Sequence, residues 1–186
     1  MPTQKIINEH KNMMEKAFEF LMSEFKTVRT GRASTGLVEN LRVEYYGTPT
    51  PLKQIATLSI PETSMIVIKP FDPASIKDIE KAIKSSDLSI APMSDGKIIR
   101  LSVPPLSGER RKQLAAQVKQ LGEQSKVSIR NIRRDANKKL DDDQKAKLLT
   151  EDDRDHGKKE MDELTRIYTD RIDKSIKLKT DEVMES

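Results

Sequence analysis

Ser128-Ile129-Arg130-Asn131-Ile132-Arg133-Arg134-Asp135-Ala136-Asn137 carries two faces in ten residues. Arg130, Arg133, Arg134 and Asn137 recur at i, i+3, i+4 and i+7, so a helix brings them to one side. Ile129, Ile132 and Ala136 form a second stripe, and at about 100° per residue the two lie side by side. One stripe is suited to packing while its neighbour offers guanidinium groups. These arginines are few, fixed in spacing and interrupted by apolar residues, unlike a flexible basic tail. The plain alternative is a solvated face tied up in salt bridges. The functional one is a rigid row of anion contacts, for which RNA phosphate is the natural partner, because Arg makes bidentate phosphate contacts that Lys cannot reproduce.

The apolar rhythm extends outward from that stretch. Leu114, Val118, Leu121, Ser125, Ile129, Ile132, Ala136 and Leu140 keep three- and four-residue steps, the pattern of a bundle seam. Ser107 is placed to cap this helix and Asp141-Asp142-Asp143 to begin its exit, with Gly122 a weak point costing about 1 kcal/mol against Ala. Thr150-Glu151-Asp152-Asp153 opens a further helix: Thr150 caps, Asp153 reaches back, and acidic residues suit the N-terminus. Its seam is Met161, Leu164, Tyr168, Ile172, Ile176 and Val183. An earlier helix over residues 3–28 carries Ile7, Met14, Ala17, Leu21 and Val28, with Met13, Phe18, Phe20 and Phe25 read as widening the packed surface.

Between the first and second long helices the texture changes. Residues 41–46 alternate like a strand, and Gly47-Thr48-Pro49-Thr50-Pro51 reads as a turn or extended loop. Ala56–Ile60, Met65–Lys69, Leu88–Ala91 and Ile98–Val103 read as strands, with Asp95-Gly96 as a turn. Asp72 caps a helix with Pro73 in its first turn, buried through Ile76, Ile79, Ala82 and Ile83. The expected fold is therefore α+β: an elongated three-helix bundle from residues 1–29 and 107–186, with a small β/α/β domain inserted at 31–105. Two covalent links, at 29–32 and 104–106, make a hinge that limits translation and permits rotation. A rod carrying a swivelling head suits an interaction protein better than an enzyme.

Composition narrows the class. The chain has 186 residues, 34% charged and 35% hydrophobic, with no cysteine and no tryptophan. Its mean hydropathy is −0.66. That balance favours solvated, salt-bridged helices, and the missing cysteines exclude disulfides, thiolate metal sites and a Cys nucleophile. No leader or membrane-length apolar run stands out, so a cytoplasmic protein is expected, with no membrane partner. Residues 107–140 hold ten basic and three acidic groups, a net of +7, whereas 141–186 hold ten and fifteen, a net of −5. The basic excess sits on the stretch quoted first, as in a nucleic-acid footprint. His156 lies among acidic residues without the spacing of an established metal site, so no metal is expected. His10 reads as a packing or boundary residue. No serine has a matching His and Asp, which leaves hydrolase chemistry without support. Of Tyr45-Tyr46, one ring is expected in the core and one on the surface.

Several stretches closely resemble the bacterial-type ribosome recycling factor family. They are Arg29-Thr30-Gly31-Arg32-Ala33-Ser34, Val43-Glu44-Tyr45-Tyr46-Gly47-Thr48-Pro49-Thr50-Pro51-Leu52, Pro104-Pro105-Leu106 with Glu109-Arg110-Arg111, and Arg130 to Asn137. They occur in the family's order and the layout matches over the whole chain. The resemblance implies an L-shaped, tRNA-like outline. It implies binding to the ribosome after peptide release, with the bundle on large-subunit rRNA, and subunit splitting together with elongation factor G and GTP. It also implies a factor that is not itself an enzyme and holds no cofactor, the GTP being used by the partner. Arg133 matches the arginine on which the family most depends for ribosome binding, and Arg130, Arg134 and Arg29 match its basic surface. Thr30, Gly31 and Arg32 with Pro104, Pro105 and Leu106 match the hinge. Gly108 departs from the family, which commonly has an acidic residue there. A closed bundle needs no second copy, so a monomer is expected. The residues by themselves leave two alternatives: a general RNA-binding helical protein without ribosome specificity, and an enzyme with a site in the inserted module.

Overall fold

The computed structural model describes residues 2–185. Helix α1 spans Pro2–Thr27, strand β1 Arg42–Tyr45, β2 Thr48–Pro51, a short helix α2 Leu52–Ile55, β3 Ala56–Glu62, β4 Met65–Pro70, α3 Ile76–Lys84, β5 Pro92–Ser94, β6 Ile99–Ser102, α4 Gly108–Lys145 and α5 Glu151–Glu185. Two compact units emerge. One comprises residues up to Phe25 with Ala115–Asp181, the other Lys26–Leu114 with the residues from Glu182 onward.

The first unit is a three-helix bundle. Ile6 clusters with Leu140 and Leu149, and Lys139 Nζ lies 3.2 Å from Glu9, so α1 and α4 run antiparallel. Glu15 bonds Tyr168 and Arg171 on α5, while a Cβ on Gly157 would touch Thr3. Rising numbers match rising numbers, so α1 and α5 are parallel. Ile7, Met14, Leu21, Val118, Ile129, Ala136, Leu140, Met161, Tyr168 and Ile172 are buried, the positions marked by the three-four rhythm. Full burial of one such side chain stabilises by about 1.5–3 kcal/mol, so the seams hold the unit.

Helix ends follow local chemistry. Arg110 N donates to Ser107 Oγ at 3.2 Å. Asp153 N donates to Thr150 Oγ1 at 3.1 Å, and Thr150 Oγ1 returns a bond to Asp153 at 2.8 Å. The expected exit at Asp141-Asp142-Asp143 does not occur: α4 continues to Lys145. Asp141 is held by Lys158 at 2.7 Å, which offsets the acidic charge near the helix C-terminus. The stop comes at Lys147, with φ 61°, where Leu148 N reaches Asp143 O and Lys147 N reaches Gln144 O, the two bonds of a Schellman motif.

Gly122 is more than a weak point. A Cβ there would lie 2.2 Å from Ile176 Cδ1, so the glycine lets α4 approach α5. Gly122→Ala is expected within about 1 kcal/mol of wild type in a thermal melt, the helical gain offsetting the displaced Ile176. Gly122→Leu is expected to cost about 1–3 kcal/mol through overpacking. Two residues read as packed are not: Met13 is 51% and Phe20 67% exposed, whereas Phe25 is buried.

The second unit holds a four-stranded antiparallel sheet in the order β3-β4-β6-β5 and a separate β1–β2 hairpin. Ile66 and Ile68 of β4 and Ile99 and Leu101 of β6 are buried, and they pack with Ile76, Ile79 and Ile83 of α3 and with Val43 and Leu52. Asp72 Oδ1 accepts from Ala74 N at 2.9 Å and Pro73 begins a short 3-10 turn before α3. Two expectations change here. Thr48–Pro51 is a strand, not a loop: Tyr46 and Gly47 both have positive φ and make a tight hairpin. Pro49 and Pro51 pair with Glu44 and Arg42, alternating with the hydrogen-bonded pairs, so neither proline's missing N–H is needed by the ladder. Leu88–Ala91 is irregular, with Ser89 at φ 53°. The edge strand starts only at Pro92, which faces Leu101. Tyr45 is half-buried against the core and Tyr46 is 78% exposed.

Candidate nucleic-acid interface

The row of Arg130, Arg133, Arg134 and Asn137 on α4 is not uniformly exposed. Arg130 and Arg134 are exposed, and neither takes part in an ion pair among the described residues. Arg133 turns toward α5. Arg133 Nη1 lies 3.3 Å from Asp162 Oδ1, with its side chain 35% exposed. Asn137 is half-buried and its Oδ1 has no hydrogen-bond partner. Arg133 is thus partly covered and tied to α5 by one ion pair, while Arg130 and Arg134 are not. A helix period places four residues on one side, but the neighbouring helix decides which of them it covers.

The pair with Asp162 has a chemical use. A guanidinium has five N–H donors and only one is engaged, so Asp162 fixes the orientation of Arg133 while the other edge stays available for an anion. Exposed ion pairs contribute about 0–1 kcal/mol. Arg133→Ala is therefore expected to lower stability by less than about 1 kcal/mol in a thermal melt. A loss above about 2 kcal/mol would make the arginine structural, as loss of a buried partner does. Further along the α4–α5 edge, Lys126 is held by Asp173 at 2.5 Å and Glu123 at 2.9 Å. Those hydrogen bonds, from Asp173 foremost, raise its pKa above the ordinary lysine value. Acidic α5 thus consumes the basic groups on one edge of α4 and leaves the outward edge free.

Arg29 belongs to the second unit. Its Nη2 donates to Pro104 O at 2.9 Å, joining the two covalent links. Burial, then the nearby charge of Arg110, lowers its pKa. Its Nε is buried without a hydrogen-bond partner. Thr30 is buried, and its Oγ1 accepts from Arg32 N at 3.3 Å. Ala33 N and Val103 N, each adjacent to one link, donate to Thr63 O and Ser64 O at 2.7 Å, so the chain beside both links meets the turn between β3 and β4. Leu106 is buried; Pro104 and Pro105 are exposed.

His10 is buried, with Nδ1 2.7 Å from Ile6 O. His156 is exposed. No group of three or more His, Cys, Asp or Glu side chains suited to a metal occurs among the described residues, and no helix there is long and apolar enough to cross a membrane. Sequence reasoning missed Asp162 as the partner of Arg133. Only the charge asymmetry between α4 and α5 hinted at it.

Comparison with known proteins agrees with this architecture. A family model described as ribosome recycling factor matches residues 21–184. The Ribosome-recycling factor of Bacillus licheniformis is 46% identical over 185 residues, covering 100% of both chains. That of Myxococcus xanthus is 47% identical over 184 residues, covering 97% of each. Among solved structures, the chain is similar to a solution structure of the ribosome recycling factor, with a TM-score of 0.79 at 36% identity, covering 100% of this chain and 99% of that one. It is also similar to the T. thermophilus ribosome recycling factor placed with E. coli elongation factor G on the E. coli post-termination complex. There the TM-score is 0.69 at 37% identity, covering 99% of this chain and 100% of that one.

Proposed function

The chain belongs to the ribosome recycling factor family, and on that footing we propose that it acts with elongation factor G and GTP to split post-termination ribosomes into subunits and release them from mRNA. The observation that carries the contact is the exposed, unpaired arrangement of Arg130 and Arg134 on a rigid helix. Large-subunit rRNA is the partner of that face, with Arg133 held ready beside it by Asp162. Arginines at fixed spacing read phosphate positions and helical shape more than base sequence.

The factor works as a lever without chemistry of its own. GTP is hydrolysed by the partner, and this chain needs neither metal nor cofactor. The links at 29–32 and 104–106, close in sequence to the boundary between the two units, serve as the hinge between the helical bundle and the inserted head. The Arg29–Pro104 bond fastens one link to the other, so the pair moves as one joint. One copy in the cytoplasm suffices. Arg29 adds to the RNA contact, and Asn137 supports the row from its side.

Light scattering of post-termination ribosomes tests this reading directly. Splitting is expected only when this protein, elongation factor G and GTP are all present. Splitting without elongation factor G, or no ribosome binding at all, overturns it.

A further inference from the structure

A cavity of about 230 Å³ opens where the β1–β2 hairpin meets the start of α3, with Glu44, Tyr45, Tyr46, Asp72 and Asp78 in its lining. Tyr46 is the member that the fold does not require. It sits at φ 49° in a two-residue turn that Asn or Gly would serve at less cost, and its ring is 78% exposed. Tyr46 OH donates to Asp72 Oδ2 at 2.6 Å, which holds the ring at the cavity wall. Tyr45 meets it edge to face, with centroids 4.6 Å apart and planes at 77°, so the two ring faces form a corner.

The charged groups of the lining are Glu44, Asp72 and Asp78, with no cation among them. Asp72 caps the turn before α3, and Asp78 lies in the first turn of α3, where a helix favours an anion. Glu44, on β1, has no such role. Glu44 and Asp78 are exposed, and neither makes a hydrogen bond or ion pair among the described residues. Arg42 and Lys81 line the adjoining hollow that shares these two carboxylates, without ion-pairing to them. The hydrogen bond from Tyr46, then that from Ala74 N, lowers the pKa of Asp72, so it is ionised at neutral pH. We infer that this cavity binds an organic cation, a guanidinium or ammonium group on an alkyl stem, against the Tyr45–Tyr46 corner with Glu44 and Asp78 as its counterions. Aromatic faces attract such a cation. The three carboxylates repel phosphate, and no acidic cluster suited to a metal ion occurs among the described residues, so neither RNA backbone nor a bare metal is the occupant. The cavity is thus distinct in chemistry from the arginine face of α4, and the inference does not depend on the ribosomal reading. An arginine side chain of a bound protein and a free polyamine share this chemistry.

The full chain, titrated with butylguanidinium, butane-1,4-diamine and the neutral butylurea, reports through the ring-proton NMR shifts of its three tyrosines. Saturable shifts are expected at Tyr45 and Tyr46 with the cations and not with butylurea. Tyr168, buried in the bundle, is expected to stay unmoved. Glu44→Gln combined with Asp78→Asn breaks no internal bond and is expected to bind the cations about 10-fold more weakly. Tyr46→Asn suits the turn, removes the ring and is expected to weaken binding about fivefold. Preference for butylguanidinium assigns the occupant to an arginine side chain, and preference for the diamine assigns it to a free polyamine. No saturable shift with either cation, equal shifts with butylurea, or wild-type affinity in the Glu44→Gln, Asp78→Asn protein overturns the inference.

Discussion

The double variant R130E/R134E binds large ribosomal subunits at least about 100-fold more weakly than wild type, since each charge-assisted hydrogen bond contributes about 1.5–3 kcal/mol. Both side chains are exposed and outside any ion pair among the described residues, so reversal breaks no internal contact. Surface substitutions of this kind usually stay within about 0.5 kcal/mol, and the melting temperature is expected to hold. The salt dependence carries the sharper information. Each phosphate contact contributes about 0.7–0.9 to the slope of log K against log salt, so losing two flattens it by roughly 1.5. R130K/R134K keeps most of that slope and loses affinity, because an ammonium keeps the charge without the planar fork. If R130E/R134E binds like wild type, the outward face of α4 is solvated surface and the RNA contact lies elsewhere. If it melts early, the arginines are structural.

Much of the architecture was legible because short-range chemistry is written residue by residue. Ser107 and Thr150 cap the helices they precede, and the buried stripe of α4 is the one its three-four rhythm marks. What periodicity leaves open is the identity of the neighbour. Arg130 and Arg133 are one helical turn apart and equivalent by spacing, yet Asp162 faces only Arg133, which depends on how α5 is registered against α4. Phe20 and Met13 broaden the apolar stripe of α1 beyond the arc its two partner helices cover, so composition pointed inward where geometry leaves them out. Pro49 and Pro51 argued against a strand until register showed their nitrogens outside the ladder. Leu88–Ala91 has the right residues for a strand, but its backbone turns left-handed at Ser89. The candidate interface was legible as a basic helix face. The capture of Arg133 by Asp162 was not, because that contact is tertiary.

Glu15→Ala is expected to remove about 2 kcal/mol of stability, the order of leaving a buried donor unsatisfied. Glu15 Oε2 accepts from Tyr168 OH at 2.5 Å and from Arg171 Nη1 at 2.8 Å, and Oε1 accepts from Arg171 Nη2 at 3.1 Å. The guanidinium lies over Phe18 at 4.1 Å and over Tyr168 at 5.0 Å. One carboxylate thus joins α1 to α5 through a phenol that is 3% exposed. Burial first, then the hydrogen bond to Glu15, pushes the Tyr168 pKa from 10 up to about 12. The folded state therefore retains a proton that the unfolded chain loses between those values. This contribution is complete below pH 10 and disappears as pH rises toward 12, by the linkage of proton binding to folding. Glu15 runs the other way. Its pKa is lowered by the Arg171 hydrogen bond first and Tyr168 second, so its contribution is present above the ordinary carboxylate value and fades as acid protonates it. Denaturant melts from pH 9 to 12 separate the two. Wild type is expected to lose about 2 kcal/mol over that range from this residue, and Tyr168→Phe to lack that part of the decline while keeping the Arg171 clamp and most of the acid sensitivity. Equal alkaline declines in both proteins would remove Tyr168 as the source. A Glu15→Ala protein as stable as wild type would show that the bundle is held by its apolar seams alone.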